Sequence, residues 1–421
     1  MNHFFKQKTL LAWVSGLCLA LSGITLGVQA TSVRAEEAAK PTGNQVRPEL
    51  GKVVNAALEL LKGKKGKEAL AKIREADGVK DKSAYESFVT DQIRAQSAAL
   101  AGEPVTAAAA FEAAAASSAV PANQKILFIA AAAGQYYVAK DYAKCADAAT
   151  RYFKEGGTDK PIRALYVQAL YLSNDFAKAA KELQTDIAAD EQAGKTPPED
   201  QLQMYANAAL KSQDKASYAT AMEKLVAYYP KRDYWLAVIY AAKARPGFSD
   251  RLDLNLARLK MATGTMSNGP EYFEAAQLSL QAGFPAEAKK IIDQGYAAGL
   301  LGTGAEADRH KRLKEMAERD LTKDKASLSS IDNSGRDGGV QVNNGFNLVF
   351  HGQTGKGLEM MEQGLRKGGM KRLEDAKLHL GYAYFLSGDK AKALAAFRNV
   401  QGNDGTAALA QIWLARVNQM K

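Results

Sequence analysis

One position, small in all but one copy, returns along this chain at Ala69, Ala107, Cys145, Ala179, Tyr218, Ala288, Gly357 and Ala393. The spacings are 38, 38, 34, 39, 70, 69 and 36 residues, and each long gap equals about two repeats of roughly 34. The clearest copy is residues 380–400. There Leu380-Gly381 and Tyr384 precede a break at Ser387-Gly388-Asp389, and Ala393, Phe397 and Val400 follow at i, i+4, i+7. This pattern predicts two helices joined by a one-turn break. Antiparallel helices approach closely only where side chains are small, so Gly381 and Ala393 belong at the crossing. Tyr384 and Phe397 fill the space beside it and reach the neighbouring hairpin. One such hairpin cannot bury its apolar face alone, so copies must stack.

Laying this template upstream predicts hairpins at 53–61/68–76, 84–100/106–117, 124–139/142–153 and 162–172/177–188. Further hairpins follow at 201–210/217–229, 233–244/252–261 (degenerate), 271–281/286–297 and 343–350/355–365. Residues 305–321 are helical by pattern but very polar, and read either as a worn repeat or as an insert. Residues 327–339 are expected to form an exposed loop, and 407–420 a last helix over the final hairpin. Alanine runs at 107–110 and 113–116 favour helix, and strand patterns are nearly absent.

The Leu-Gly, Tyr, turn, Ala, Phe pattern of 380–400 resembles the tetratricopeptide repeat (TPR). The resemblance implies an all-α, superhelical TPR-like solenoid of about nine hairpins with a C-terminal capping helix. It also implies a concave groove, lined by first helices, that takes peptide or protein segments. Carried over residue by residue, the groove positions are Tyr137, Gln168, Tyr171, Asn207, Lys211, Phe346, Tyr382 and Phe385. Asn207 and Lys211, one turn apart, match the asparagine-plus-lysine arrangement with which some TPRs grip a carboxylate. The alternative for the aromatics is packing between neighbours. Residues 228–235 (Tyr-Tyr-Pro-Lys-Arg-Asp-Tyr-Trp) are similar to a segment of periplasmic TPR proteins associated with TonB-type energy-transduction systems. Residues 305–312 are similar to a segment of related exported TPR proteins. That likeness implies an adaptor of an envelope complex; the alternative is a glycan- or peptidoglycan-associated accessory protein.

The first 35 residues differ from the rest. Lys6 and Lys8 precede an apolar run from Leu10 to about Val28, followed by Val28-Gln29-Ala30 and Val33-Arg34-Ala35. This is the layout of a cleavable signal peptide, with an uncleaved anchor as the alternative, and it predicts a periplasmic protein without stable membrane insertion after cleavage. The expected organisation is signal peptide 1–35, disordered leader 36–49, array 50–300, polar insert 301–340, and a final hairpin pair with its cap at 341–421. Cleavage after Ala35 removes Lys6, Lys8 and Arg34, so the formal charge falls from +10 to +7. That excess suits an acidic partner or an anionic surface, and a solvated helical face explains it equally well. Cys145 would be the single remaining cysteine, read as a small packed residue, so the fold rests on helix packing.

Chemistry-bearing motifs are weak. Gly302-Thr303-Gly304-Ala305-Glu306-Ala307 imitates a dinucleotide fingerprint but follows an expected helix, whereas the fingerprint needs a strand. Gly352-Gln353-Thr354-Gly355-Lys356-Gly357 lacks P-loop spacing. His310, His351 and His379 lie in separate segments without metal-ligand spacing, and no nucleophile–base set is apparent. The basic turn 62–67 reads as a solvated turn, with anionic lipid or glycan as the alternative; no aromatic interleaves with it and nucleic acid is not expected. Neither catalysis nor a cofactor or metal is expected, and binding is the remaining route.

Overall fold

The computed structural model describes residues 45–328 and 337–420. The expected signal peptide, most of the leader and the greater part of the 327–339 loop lie outside the described residues. Among them the chain is all-helical, with twenty α-helices, short 3-10 turns and no strand. Two compact units divide between Ser217 and Tyr218.

In the first unit the helices are α1 Pro48–Lys62, α2 Gly66–Arg74, α3 Ala84–Ala101, α4 Pro104–Ala116, α5 Ala122–Val138, α6 Tyr142–Lys154, α7 Lys160–Leu172, α8 Phe176–Gln192 and α9 Glu199–Lys211. From α1 to α9 each successive pair packs together, an arrangement compatible with an α solenoid. Helix α10, Lys215–Tyr228, carries the division. The second unit holds α11 Arg232–Lys243, α12 Asp253–Ala262, α13 Gly269–Gln281, α14 Pro285–Ala297, α15 Ala307–Leu328, α16 Gly338–Phe350, α17 Thr354–Lys367, α18 Leu373–Ser387, α19 Lys390–Arg398 and α20 Thr406–Asn418.

Local chemistry explains where helices begin and end. Ser83 and Glu86 form a capping box at α3, and the backbone and side chain of Arg47 also donate to the buried Glu86 carboxylate at 2.9–3.0 Å. Burial alone would raise that carboxyl, but its hydrogen bonds from Arg47 and Ser83 hold it below the usual range. Asp141, Asp175 and Asp389 each accept the N–H three residues on, capping α6, α8 and α19.

The break between paired helices has one recurring geometry. Lys64, Gly102, Lys140, Asn174, Gln213, Gly283, Gly352 and Gly388 all sit in the left-handed region. The next residue donates its N–H to the carbonyl five back, as in Asp141→Tyr136, Asp175→Leu170 and Asp389→Tyr384 at 2.9–3.1 Å. This closure satisfies the carbonyls that a helix C-terminus leaves free. Each left-handed residue lies five positions before one of the recurring small positions, so the spacing read in the sequence is the spacing of this turn.

Close helix approach follows the small residues. A Cβ on Gly381 would lie 2.6 Å from the Phe397 ring, and Ala393 is buried. Between α16 and α17 the approach is closest. A Cβ on Gly345 would meet the Gly357 carbonyl at 2.5 Å, and one on Gly357 the Gly345 carbonyl at 2.5 Å. Cys145 is wholly buried, and burial pushes its thiol far above the ordinary range.

The second unit departs from an open array. Helix α20 packs on α18 and α19, as a cap should, but also on α11 and α12 at the start of the unit. Nε of Arg416 donates to the Ala262 carbonyl at 2.7 Å and Nε2 of Gln419 to Val226 at 2.6 Å. Arg251 spans Asp375 and Asp404 at 2.8 and 2.6 Å. Helices α12, α13, α14, α16, α18 and α20 therefore close a ring of contacts. The apolar faces left at the unit's two ends, with Trp413, Leu409 and Val417 on α20, bury against each other instead of meeting water.

Candidate functional site

Two places gather the side chains that could do work, one in each unit. In the first, α5, α7 and α9 occupy equivalent places in successive hairpins. Tyr137 on α5 donates its hydroxyl to Oε1 of Gln168 on α7 at 2.8 Å. One turn further along α7, Tyr171 donates to Oδ1 of Asn207 on α9 at 2.9 Å. Lys211, the next turn of α9, holds Nζ 4.9 Å above the Phe176 ring, which meets Tyr171 edge-on at 5.3 Å.

The members differ in exposure. Tyr137 and Gln168 are buried, and burial pushes the Tyr137 hydroxyl up to about 12. Tyr171 and Asn207 are half-buried and Lys211 is exposed. Leu172 and Leu210, beside Tyr171 and Lys211, are exposed apolar side chains at 38% and 61%. Five of the eight expected groove residues thus form one row across three helices. Phe176, the platform under Lys211, was not expected. Its signal lay in its place directly after the Asp175 cap, where Tyr142 follows Asp141 in the preceding hairpin.

The other three residues, Phe346, Tyr382 and Phe385, are in the second unit. Phe346 and Tyr382 lie around an ion pair that the repeat pattern did not reveal, and Phe385 lies beside Tyr382. Arg258 on α12 is 1% exposed and donates through Nε and Nη2 to the two oxygens of Glu287 on α14, at 2.7 and 2.6 Å. Nη1 donates to Asn255, and the Ser279 hydroxyl to Glu287 at 3.0 Å. The guanidinium carbon lies 4.8 Å from the Phe346 ring centre and 5.5 Å from those of Phe284 and Tyr382. Phe346 is fully buried, Tyr382 nearly so, and Phe385 half-buried against Tyr382 and Trp413. Burying a charge is costly unless it is paired and hydrogen-bonded, and Arg258 has both compensations together with aromatic faces.

A cavity of about 700 Å³ opens on this centre. Arg258, Phe284 and His379 line its inner part. His379 stacks on Phe346 at 4.8 Å and 15°. Burial, and secondly the charge of Arg258, lower its pKa well below the ordinary value, so the ring is neutral near pH 7.

The remaining histidines are occupied elsewhere. Nδ1 of His310 accepts from the Gly302 N–H at 3.1 Å, and His351 pairs with Asp324 at 2.7 Å. Among the described residues, no group of three or more His, Cys, Asp or Glu side chains is placed to hold a metal ion. None of the described helices is long and apolar enough to cross a membrane. The Gly302–Ala307 motif follows helix α14, and its left-handed Gly302 and Gly304 lead into α15. No protein-family model and no curated protein matches this sequence.

Proposed function

We propose that this chain is an exported, non-enzymatic binding scaffold. On this reading it is a TPR-like array of about nine helical hairpins whose first helices capture an extended peptide or protein segment. The observation that carries the reading is the row Tyr137–Gln168, Tyr171–Asn207 and Lys211 across α5, α7 and α9. Its buried end is locked by hydrogen bonding between side chains, which holds the outer end in place before a ligand arrives.

The outer end then offers complementary chemistry. Asn207 uses its carbonyl oxygen on Tyr171, which leaves its amide nitrogen for a peptide carbonyl. Lys211 supplies an exposed positive charge for a carboxylate, and Leu172 and Leu210 supply apolar contact. A periplasmic location and a place in an envelope complex of the TonB type complete the proposal. They rest on the N-terminal layout and on the resemblance of residues 228–235.

Selection of a displayed peptide library on the purified chain tests the function. The expected result is a set of peptides carrying an acidic residue or a free C-terminus. The double variant Tyr171→Ala/Asn207→Ala should bind them at least about tenfold more weakly with unchanged helicity. Failure to select any peptide, or undiminished affinity in the double variant, contradicts the reading.

A further inference from the structure

We propose that the cavity of the second unit is a binding site for a small uncharged polyhydroxylated ligand, a neutral mono- or disaccharide. The cavity lies within the second unit, and the inference does not depend on the peptide row of the first. Its volume, about 700 Å³, falls within the range usual for small-molecule sites.

The charges in the cavity wall select against ions. Arg258 is cancelled by Glu287, and Arg251 by Asp375 and Asp404. Lys371 and Arg372 make no ion pair among the described residues, but they are exposed, and the exposed carboxylates Asp250 and Asp337 also line the cavity and balance them. An ion moving inward would lose its hydration without meeting an unpaired opposite charge. A neutral ligand carries no such cost.

Hydrogen-bonding capacity remains unspent. Among the described residues, neither ring nitrogen of His379 has a hydrogen-bond partner; the ring makes only aromatic contacts. A neutral imidazole presents one donor and one acceptor, the pairing a hydroxyl group answers with its own. The side-chain amides of Gln281 and Asn343 line the same cavity, and both residues are exposed to entering solvent. Phe284, whose ring faces the Arg258 guanidinium, adds an aromatic surface to the same cavity. Unpartnered amides and imidazole, an aromatic surface and cancelled charge together fit hydroxyl groups on an apolar ring better than they fit a carboxylate or an ammonium.

Isothermal titration of the purified chain with maltose and N,N′-diacetylchitobiose tests this, with dialanine as the zwitterionic probe and citrate as the anionic one. At least one disaccharide should bind, and dialanine and citrate should not. His379→Phe keeps the stacking on Phe346 and removes both nitrogens, and it should weaken the sugar about tenfold at an unchanged melting temperature. Asn343→Ala, at an exposed helical position where alanine is well tolerated, should weaken it several-fold and decides the matter if the histidine variant is unstable. No disaccharide binding at millimolar concentration, preference for citrate or dialanine, or undiminished sugar binding by Asn343→Ala would overturn the assignment.

Discussion

The row on α5, α7 and α9 and the ring centre on α12, α14, α16 and α18 use the same kind of residue for opposite ends. In the row, each tyrosine hydroxyl meets an amide of the next hairpin, and the series runs out to an exposed lysine. In the ring, Phe346 and Tyr382 turn inward onto Arg258, and Trp413 of the last helix covers Tyr382. An aromatic on a first helix therefore has no fixed role. Where successive helices continue side by side it edges a surface. Where the helices of a unit return on themselves it becomes core.

Breaking the ring should give the largest effect. Glu287→Ala leaves the Arg258 charge buried and uncompensated, and should cost about 3–5 kcal/mol by denaturant titration. The transition of the second unit should move and that of the first should not. Next comes the α16–α17 contact. Gly357→Ala places a methyl 2.5 Å from the Gly345 carbonyl, so the helices must separate, at a cost of about 1–3 kcal/mol.

Arg251→Ala removes the clasp between Asp375 and Asp404, and should cost about 1 kcal/mol because the pair is partly solvated. Burial would raise the Asp404 carboxyl, but hydrogen bonds from the Thr406 hydroxyl and Arg251 outweigh it and hold it down to about 2. A folded-state value below the unfolded one, about 3.9, makes this contribution fully present above roughly pH 4 and lost as pH falls towards 2. The acid limb of a melting-temperature profile should therefore flatten in Asp404→Asn. The smallest effect belongs to the row. Tyr171→Phe removes one half-buried hydrogen bond and should cost about 1 kcal/mol or less, while weakening peptide binding.

The sequence made the repeat legible because its turn is local. The left-handed residue, the cap after it and the small residue five positions on lie within a few residues of one another. Gly102, Gly283, Gly352 and Gly388 announce that turn, whereas Lys64, Lys140 and Gln213 adopt it without a glycine and are found only through the spacing. The residues of the row came from the resemblance to the TPR pattern, which places groove positions on first helices, and not from any periodicity of their own. The ring was not legible. Its closure depends on contacts such as Arg416 to Ala262, 154 residues apart, and no periodicity records which ends of an array will meet. Arg258 and Glu287 were hidden similarly. Each reads as an ordinary charged helical residue until the fold sets them 2.6 Å apart.

Hydrogen exchange on the purified chain, with and without a library-selected peptide, tests most directly whether binding belongs to the row. The account predicts added protection in residues 160–172 and 199–211, with no change in 338–350 and 373–387. Protection confined to the latter two segments would show that the inward aromatics of the ring, and not the row, receive the peptide, and would contradict the account.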